Sequence, residues 1–203
     1  KKIMASVKDG RNEVQAILGQ EQGTVNLAIV GTLASTTFTE RLIRFREKYP
    51  LVRVALRTAR SNEVSDLVRD GTVHLGLRYF EDTDTDLVSR LVAEEPLVVV
   101  GAAYHEWKNP KQIQLAEIRD MAWVSFPLGQ GSSGAPFAEL QIKQLLLHGL
   151  EDMERLFVDS LTAQKRLIEA DFGVGLLPLS SIQEELRLGT LRILSLPSLE
   201  TTA

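Results

Sequence analysis

Hydroxyl side chains gather where runs of strand-forming residues give way to helical ones, and these have the most to offer a ligand. Thr32, Ser35 and Thr36 follow one β-branched run and open a helix. Ser61 does the same after the next run, and Ser160 opens a helix in the second half of the chain. In open α/β sheets, ligands bind outside the carboxyl ends of the strands. A helix N-terminus there presents unpaired N–H groups and the positive end of a dipole, which suits a carboxylate, sulfate or phosphate. Each hydroxyl taken alone reads equally well as a helix cap worth ~1 kcal/mol. Three such turns directed at one sheet edge favour binding over capping alone.

Other chemistries find less support. Gly129-Gln130-Gly131-Ser132-Ser133-Gly134 matches the dinucleotide fingerprint letter for letter. That motif needs its first glycine directly after a strand and its third inside the helix. Here Pro127-Leu128 intervene and Pro136 sets the helix start beyond the last glycine, so the segment reads as a flexible loop. His74, His105 and His148 lie on different elements with no metal-ligand spacing, and His74 reads as a structural polar residue at a strand start. The chain has no cysteine, which excludes disulfides, thiolate zinc sites and thiol nucleophiles. No G-x-S-x-G elbow is present, and no two carboxylates stand out as an acid and base pair. Neither a catalytic residue nor a cofactor nor a metal is expected.

The elements that must position these residues alternate. Residues 24–30 form a strand, and Phe38, Leu42, Phe45 and Tyr49 then mark one helix face that Pro50 stops. Residues 51–56 are a second strand, followed by a helix with Val64, Leu67 and Val68 inward and Gly71 at its end. Residues 73–77 are a third strand. This β-α-β-α-β order demands a parallel sheet with helical crossovers. Further strands are expected at 87–92, 97–103, 122–126, 156–158, 174–177 and 191–196, with helices at 115–119, 133–147, 160–170 and 181–188. Residues 81–86 form an acidic, solvated loop. Ile3, Val7, Val14 and Leu18 place an amphipathic helix over 1–20 that needs a partner face. Two open α/β units of similar size fit this string better than one long sheet.

Composition agrees with a globular protein. The 203 residues are 44% hydrophobic and 25% charged, with a formal net charge of −4. A mildly acidic chain is a poor candidate for coating nucleic acid with its whole surface. The longest apolar runs, such as 97–103, are too short to cross a bilayer, and no leader is visible, so a soluble cytoplasmic protein is expected. The missing initiator Met and the ending Glu200-Thr201-Thr202-Ala203 read as a fragment of something longer.

Several segments, taken in order, resemble the effector-binding half of LysR-type transcriptional regulators. They are Gly23-Thr24-Val25-Asn26-Leu27-Ala28-Ile29, Phe45-Arg46-Glu47-Lys48-Tyr49-Pro50-Leu51-Val52-Arg53-Val54 and Leu67-Val68-Arg69-Asp70-Gly71-Thr72-Val73-His74-Leu75-Gly76-Leu77. The match resumes at Leu91-Val92-Ala93-Glu94-Glu95-Pro96-Leu97-Val98-Val99-Val100 and at Asp171-Phe172-Gly173-Val174-Gly175-Leu176-Leu177-Pro178, and closes on Leu188-Gly189-Thr190-Leu191. His74 stands where that family usually has Asp, and Tyr104-His105-Glu106-Trp107 replaces its common His-Pro-Leu.

The resemblance implies an α/β fold like type 2 periplasmic binding proteins, with two Rossmann-like subdomains around a ligand cleft. Residues 1–20 would end a linker helix, 23–97 plus 191–203 would form subdomain I, and 98–190 subdomain II. It also implies a winged helix-turn-helix outside this chain, so operator DNA would be met only through that missing part. Thr32, Leu33 and Ser61 would contact effector, with Tyr79 near the cleft mouth. Phe126, Pro127 and Ser133 would line the opposite wall and Ser160 would face from below. Arg60 and Arg78 join this set because a cation beside hydroxyls favours an anionic effector, a carboxylate or similar acid. Partners would be a second copy of the domain, a tetramer in the full-length protein, and no membrane. The alternative is a solute-binding protein of a transporter.

Overall fold

The structure, a computed structural model, describes residues 22–109, 113–128, 136–196, 199 and 201–202. The helix expected over 1–20 and the glycine loop at 129–134, with Ser133, lie outside them. The chain divides into two compact units between Leu91 and Val92.

The first unit is a parallel sheet. Strands β1 (Gly23–Val30), β2 (Val52–Ala59) and β3 (Leu75–Leu77) run in the order β2-β1-β3. Gly23 faces Val52 at one end and Val30 faces Ala59 at the other, while Leu27 faces Leu75. Helix α1 (Thr36–Lys48) connects β1 to β2, and helix α2 (Ser61–Arg69) connects β2 to β3. Ser35 starts α1 by accepting the Phe38 N–H at 3.4 Å, and Pro50 stands two residues past its last turn. The Arg60 N–H donates to the Glu63 carboxylate at 3.0 Å, which satisfies one free donor at the start of α2. The expected inward face of α2 is present: Val64 is buried with Ala28 and Val73, and Leu67 and Val68 pack around them.

The loop after β3 is held by ions. Asp84 accepts the Arg69 guanidinium at 2.7 Å, Arg69 also meets Asp66 at 2.5 Å, and Arg78 pairs with Asp82. The Asp84 and Asp86 amides turn back onto the carboxylates of Asp82 and Asp84 at 3.0 and 2.9 Å. The strand expected at 87–92 is absent: that segment is turns and irregular chain. The Leu87 N–H is taken by the Asp84 carbonyl at 3.2 Å, which continues the turn into the segment, and Leu87-Val88 and Leu91-Val92 do not alternate as a half-buried strand must.

The second unit is mixed. Strand β4 (Pro96–Ala102) is buried from Leu97 onward and pairs antiparallel with β7 (Gly175–Pro178), β8 (Leu191–Leu194) and β9 (Thr201–Thr202). Strands β5 (Trp123–Ser125) and β6 (Arg155–Phe157) pair in parallel, and Trp123 bridges to Val174 just before β7. Helices α3 (Leu115–Ile118), α4 (Pro136–Leu147), α5 (Leu161–Glu169) and α6 (Gln183–Leu188) connect the strands. Val98, Val100, Val124, Ile168, Leu177, Ile182 and Leu191 form the core. Lys165 meets Glu185 at 2.7 Å and donates to the Ser181 carbonyl at 3.0 Å, which ties α5 to α6.

Two boundaries differ from expectation. The division falls at 91/92 rather than 97/98, and residues 191–194 belong to the second unit rather than to subdomain I. The cause is β4, whose ladder takes both β7 and β8 as neighbours. The family departure at Tyr104-His105-Glu106-Trp107 also has a local role. His105 Nδ1 lies 2.9 Å from the Asp171 carboxylate, its ring stacks obliquely on Trp107 at 4.2 Å, and the Trp107 indole donates to the Ala102 carbonyl at 3.0 Å. These contacts join the loop after β4 to the turn before β7.

Candidate functional site

Because β1, β2 and β3 are parallel, their carboxyl ends share one edge of the first unit's sheet. The residues that follow each strand therefore come together there. After β1 a single 3-10 turn, Gly31–Leu33, carries Thr32. After β2 come Arg60 and Ser61, and after β3 come Arg78 and Tyr79. Of the three hydroxyl-bearing turns expected at one sheet edge, those of Thr32 and Ser61 share this one, whereas Ser160 belongs to the second unit.

The Thr32 hydroxyl donates to the Tyr79 hydroxyl at 3.1 Å, with Thr32 8% and Tyr79 3% exposed. Expected near a mouth, Tyr79 is buried instead, its phenol joined to Thr32. Leu33 is half-buried, and Ser35 caps α1. Thr36 is the first residue of α1. Ser61, the first residue of α2, is buried with Ser65 one turn later. Arg60 is exposed, and its guanidinium has no ion pair among the described residues.

Arg78 is not the free cation that the sequence leads one to expect. Its Nη1 donates to the Ser65 hydroxyl at 2.6 Å and to the Asp82 carboxylate, and its Nε donates to the Tyr79 carbonyl at 3.3 Å. A carboxylate four residues away satisfies the guanidinium at little entropic cost. Asp82 in turn sits below the usual carboxylate range, chiefly through its hydrogen bond with Ser65 and then the Asp84 amide; the Arg78 charge also contributes, against the opposing effect of burial.

His74 is structural, as read. Its Nδ1 accepts the Asn26 N–H at 3.2 Å while its own amide donates to the Asn26 carbonyl at 2.9 Å. Among the described residues, no group of three His, Asp or Glu side chains is arranged to hold a metal ion.

The remaining expected residues belong to the second unit. Phe126 follows β5 and meets Phe137 edge-on at 5.8 Å; Pro127 is exposed. Ser160 is exposed and caps α5 by accepting the Ala163 N–H at 3.4 Å. Residue types alone do not single out the polar side chains buried around these positions. Gln141, fully buried in α4, donates to the Leu176 carbonyl at 2.7 Å and accepts the Phe126 N–H at 3.4 Å. Gln164 in α5 donates to the Val158 carbonyl at 2.7 Å, and Val158 donates to the Ser125 carbonyl at 2.9 Å. The available signal was a glutamine inside an apolar stripe: Phe137, Gln141 and Leu145, or Gln164 and Ile168, lie on one helix face.

The first unit is a parallel sheet with hydroxyls and helix N-termini at its carboxyl edge, and the second is a mixed α/β unit. Residues 18–202 match the LysR substrate binding domain, and the chain belongs to that family. Among relatives, it is 25% identical over 194 residues to the HTH-type transcriptional regulator CfxR of Cupriavidus necator, covering 95% of this chain and 59% of that one. It is 25% identical over 185 residues to the transcriptional dual regulator GltC of Bacillus subtilis, covering 91% and 60%. The chain thus spans about three-fifths of the length of these relatives. The regulatory domain of Synechocystis CcmR, solved in complex with 2-PG, superposes with a TM-score of 0.68 at 23% identity, covering 85% of this chain and 80% of that one. The BenM effector binding domain, solved with its effector benzoate, gives 0.71 at 21% identity, covering 88% and 80%. The fold is that of the type 2 periplasmic-binding-protein-like effector domains, and the relatives are transcriptional regulators rather than transport proteins.

Proposed function

We propose that this effector-binding domain senses a small anion at the carboxyl edge of the first unit's sheet, where Thr32, Leu33, Ser35, Thr36, Arg60 and Ser61 would contact it. The observation that carries the reading is the convergence on that edge of two strand-to-helix turns and the loop after β3, with the buried Thr32–Tyr79 pair at its centre. The helix ends there supply N–H donors and a positive dipole end suited to an acid group. That benzoate is the effector of BenM and that CcmR was solved with 2-PG support this chemical class.

The domain has no catalysis of its own in this reading and works in the cytoplasm. Effector binding shifts the arrangement of a homodimer, or of a tetramer in the full-length protein, and reaches operator DNA through a DNA-binding domain outside this chain. An effector can shift such states only by its differential affinity for them. A thermal-shift screen of small metabolite acids tests the reading. Ligand at 100 times its Kd adds roughly 2.7 kcal/mol of stability, a readily measured shift. A stabilising acid recovered unchanged and lost on Thr32→Ala supports a sensor, whereas an acid consumed on incubation contradicts it. Light scattering is expected to show a dimer at tens of micromolar protein, and only monomer would contradict the assembly.

A further inference from the structure

Resting on that proposed site, we infer that Asp82 sets its charge selectivity: this carboxylate occupies Arg78 as an internal stand-in for the effector's acid group, and an anion must displace it. Arg78 follows β3 at the carboxyl edge, and its neighbour Tyr79 holds Thr32. Its guanidinium is committed to the Ser65 hydroxyl at 2.6 Å and to Asp82, and the arginine and aspartate side chains are only 20% and 16% exposed. The second Asp82 oxygen accepts the Asp84 amide at 3.0 Å, so the carboxylate is fixed in place. A group tethered four residues away acts at an effective concentration of order millimolar. A free metabolite acid below that level does not exchange with it, and Asp82 also repels the anion as a like charge. A ligand that gains Arg78 therefore has to release the 81–86 loop, which couples binding to a movement of that loop.

The test is isothermal titration of the 203-residue chain with inorganic phosphate and with benzoate, comparing wild type with Asp82→Asn, Asp84→Asn and Thr32→Ala. Asparagine keeps the shape and an acceptor for Arg78 but removes the charge. Asp82→Asn is expected to bind phosphate at least about fivefold more tightly, the gain from removing one charge about 4 Å from the probe in a medium close to water. Asp84 shares the loop but pairs with Arg69 instead, so Asp84→Asn is expected to stay within twofold of wild type. In the wild type, saturating phosphate is expected to shift the amide resonances of residues 81–86, a readout that does not depend on the variant folding. A folded Asp82→Asn with unchanged or weaker binding overturns the inference, as does an unmoved loop at saturation. If wild type binds and Thr32→Ala does not, the proposed site stands even when Asp82 fails this test. If wild type binds neither probe nor any other acid, both fall.

Discussion

Replacing Gly173 with alanine tests the tightest backbone approach in the second unit. Gly173 has φ +157°, and an added Cβ would lie 2.1 Å from the Ala122 carbonyl oxygen and 2.8 Å from its carbon. Both are backbone atoms, so no rotamer change relieves the overlap. The backbone is also pinned: Val174 donates to the Ala122 carbonyl at 2.9 Å, Val124 donates to the Val174 carbonyl at 2.8 Å, and Trp123 and Val174 are fully buried. Strained backbone costs about 1–3 kcal/mol and overpacking a further 1–3 kcal/mol, so we expect a loss of about 3–5 kcal/mol. At about 2–4 °C per kcal/mol for a chain of this size, Tm falls by roughly 6–20 °C. Urea denaturation followed by fluorescence reads this directly, since both tryptophans, Trp107 and Trp123, lie in this unit. Gly189 supplies the control: its φ is +71°, and a Cβ there meets nothing within 4 Å. Gly189→Ala should cost only about 1 kcal/mol, from backbone conformation alone. A loss for Gly173→Ala no greater than for Gly189→Ala would refute the argument.

Three further outcomes follow from the same kind of reasoning. Thr32→Val and Tyr79→Phe should each cost about 1–2 kcal/mol by removing the buried hydrogen bond between the two hydroxyls, and the double variant should cost less than their sum; additive losses in urea titrations would dismiss the pairing. Gln141→Leu should lose about 1–3 kcal/mol by freeing the Leu176 carbonyl and the Phe126 amide, and unchanged stability would show those bonds to be idle. Asp82 is held below its ordinary range as described; burial pushes Glu169 up, but hydrogen bonds from Thr190 and Arg166 outweigh it and leave Glu169 low as well. Carboxylates depressed in the folded state stabilise it above their unfolded pKa of about 4 and lose that contribution as pH falls further. Stability should therefore be flat from pH 7 to 5 and decline below about 4; a decline beginning above pH 5 would point to other groups.

Much of the fold was legible because its elements obey simple periodicities. The β-branched run of β1 and the α2 stripe of Val64, Leu67 and Val68 declare themselves, since one buried face imposes a period of 2 or 3.6. That Thr32 and Ser61 share an edge was legible too, because a parallel sheet sends every following turn to the same edge, whereas Ser160, expected with them, lies in the second unit. What escaped was set by partners distant in sequence or by competing local bonds. Residues 87–92 have strand composition but follow a chain of aspartate turns, and no pattern announces that. The neutralisation of Arg78 needed the loop geometry, since Asp82 reads as one of several solvated acids. Placing β8 required knowing that β4 pairs on both sides. Gln141 and Gln164 were readable only as polar interruptions of an apolar stripe, which fits a surface position equally well until the helix face is seen.

The most direct measurement is the dissociation constant of a stabilising acid for wild type, Thr32→Ala and Ser61→Ala, by isothermal titration with folding checked by circular dichroism. The account predicts saturable binding that weakens at least tenfold in both variants, the equivalent of about 1.4 kcal/mol each. An acid that binds all three proteins equally would contradict the placement of the site at the carboxyl edge of β1, β2 and β3.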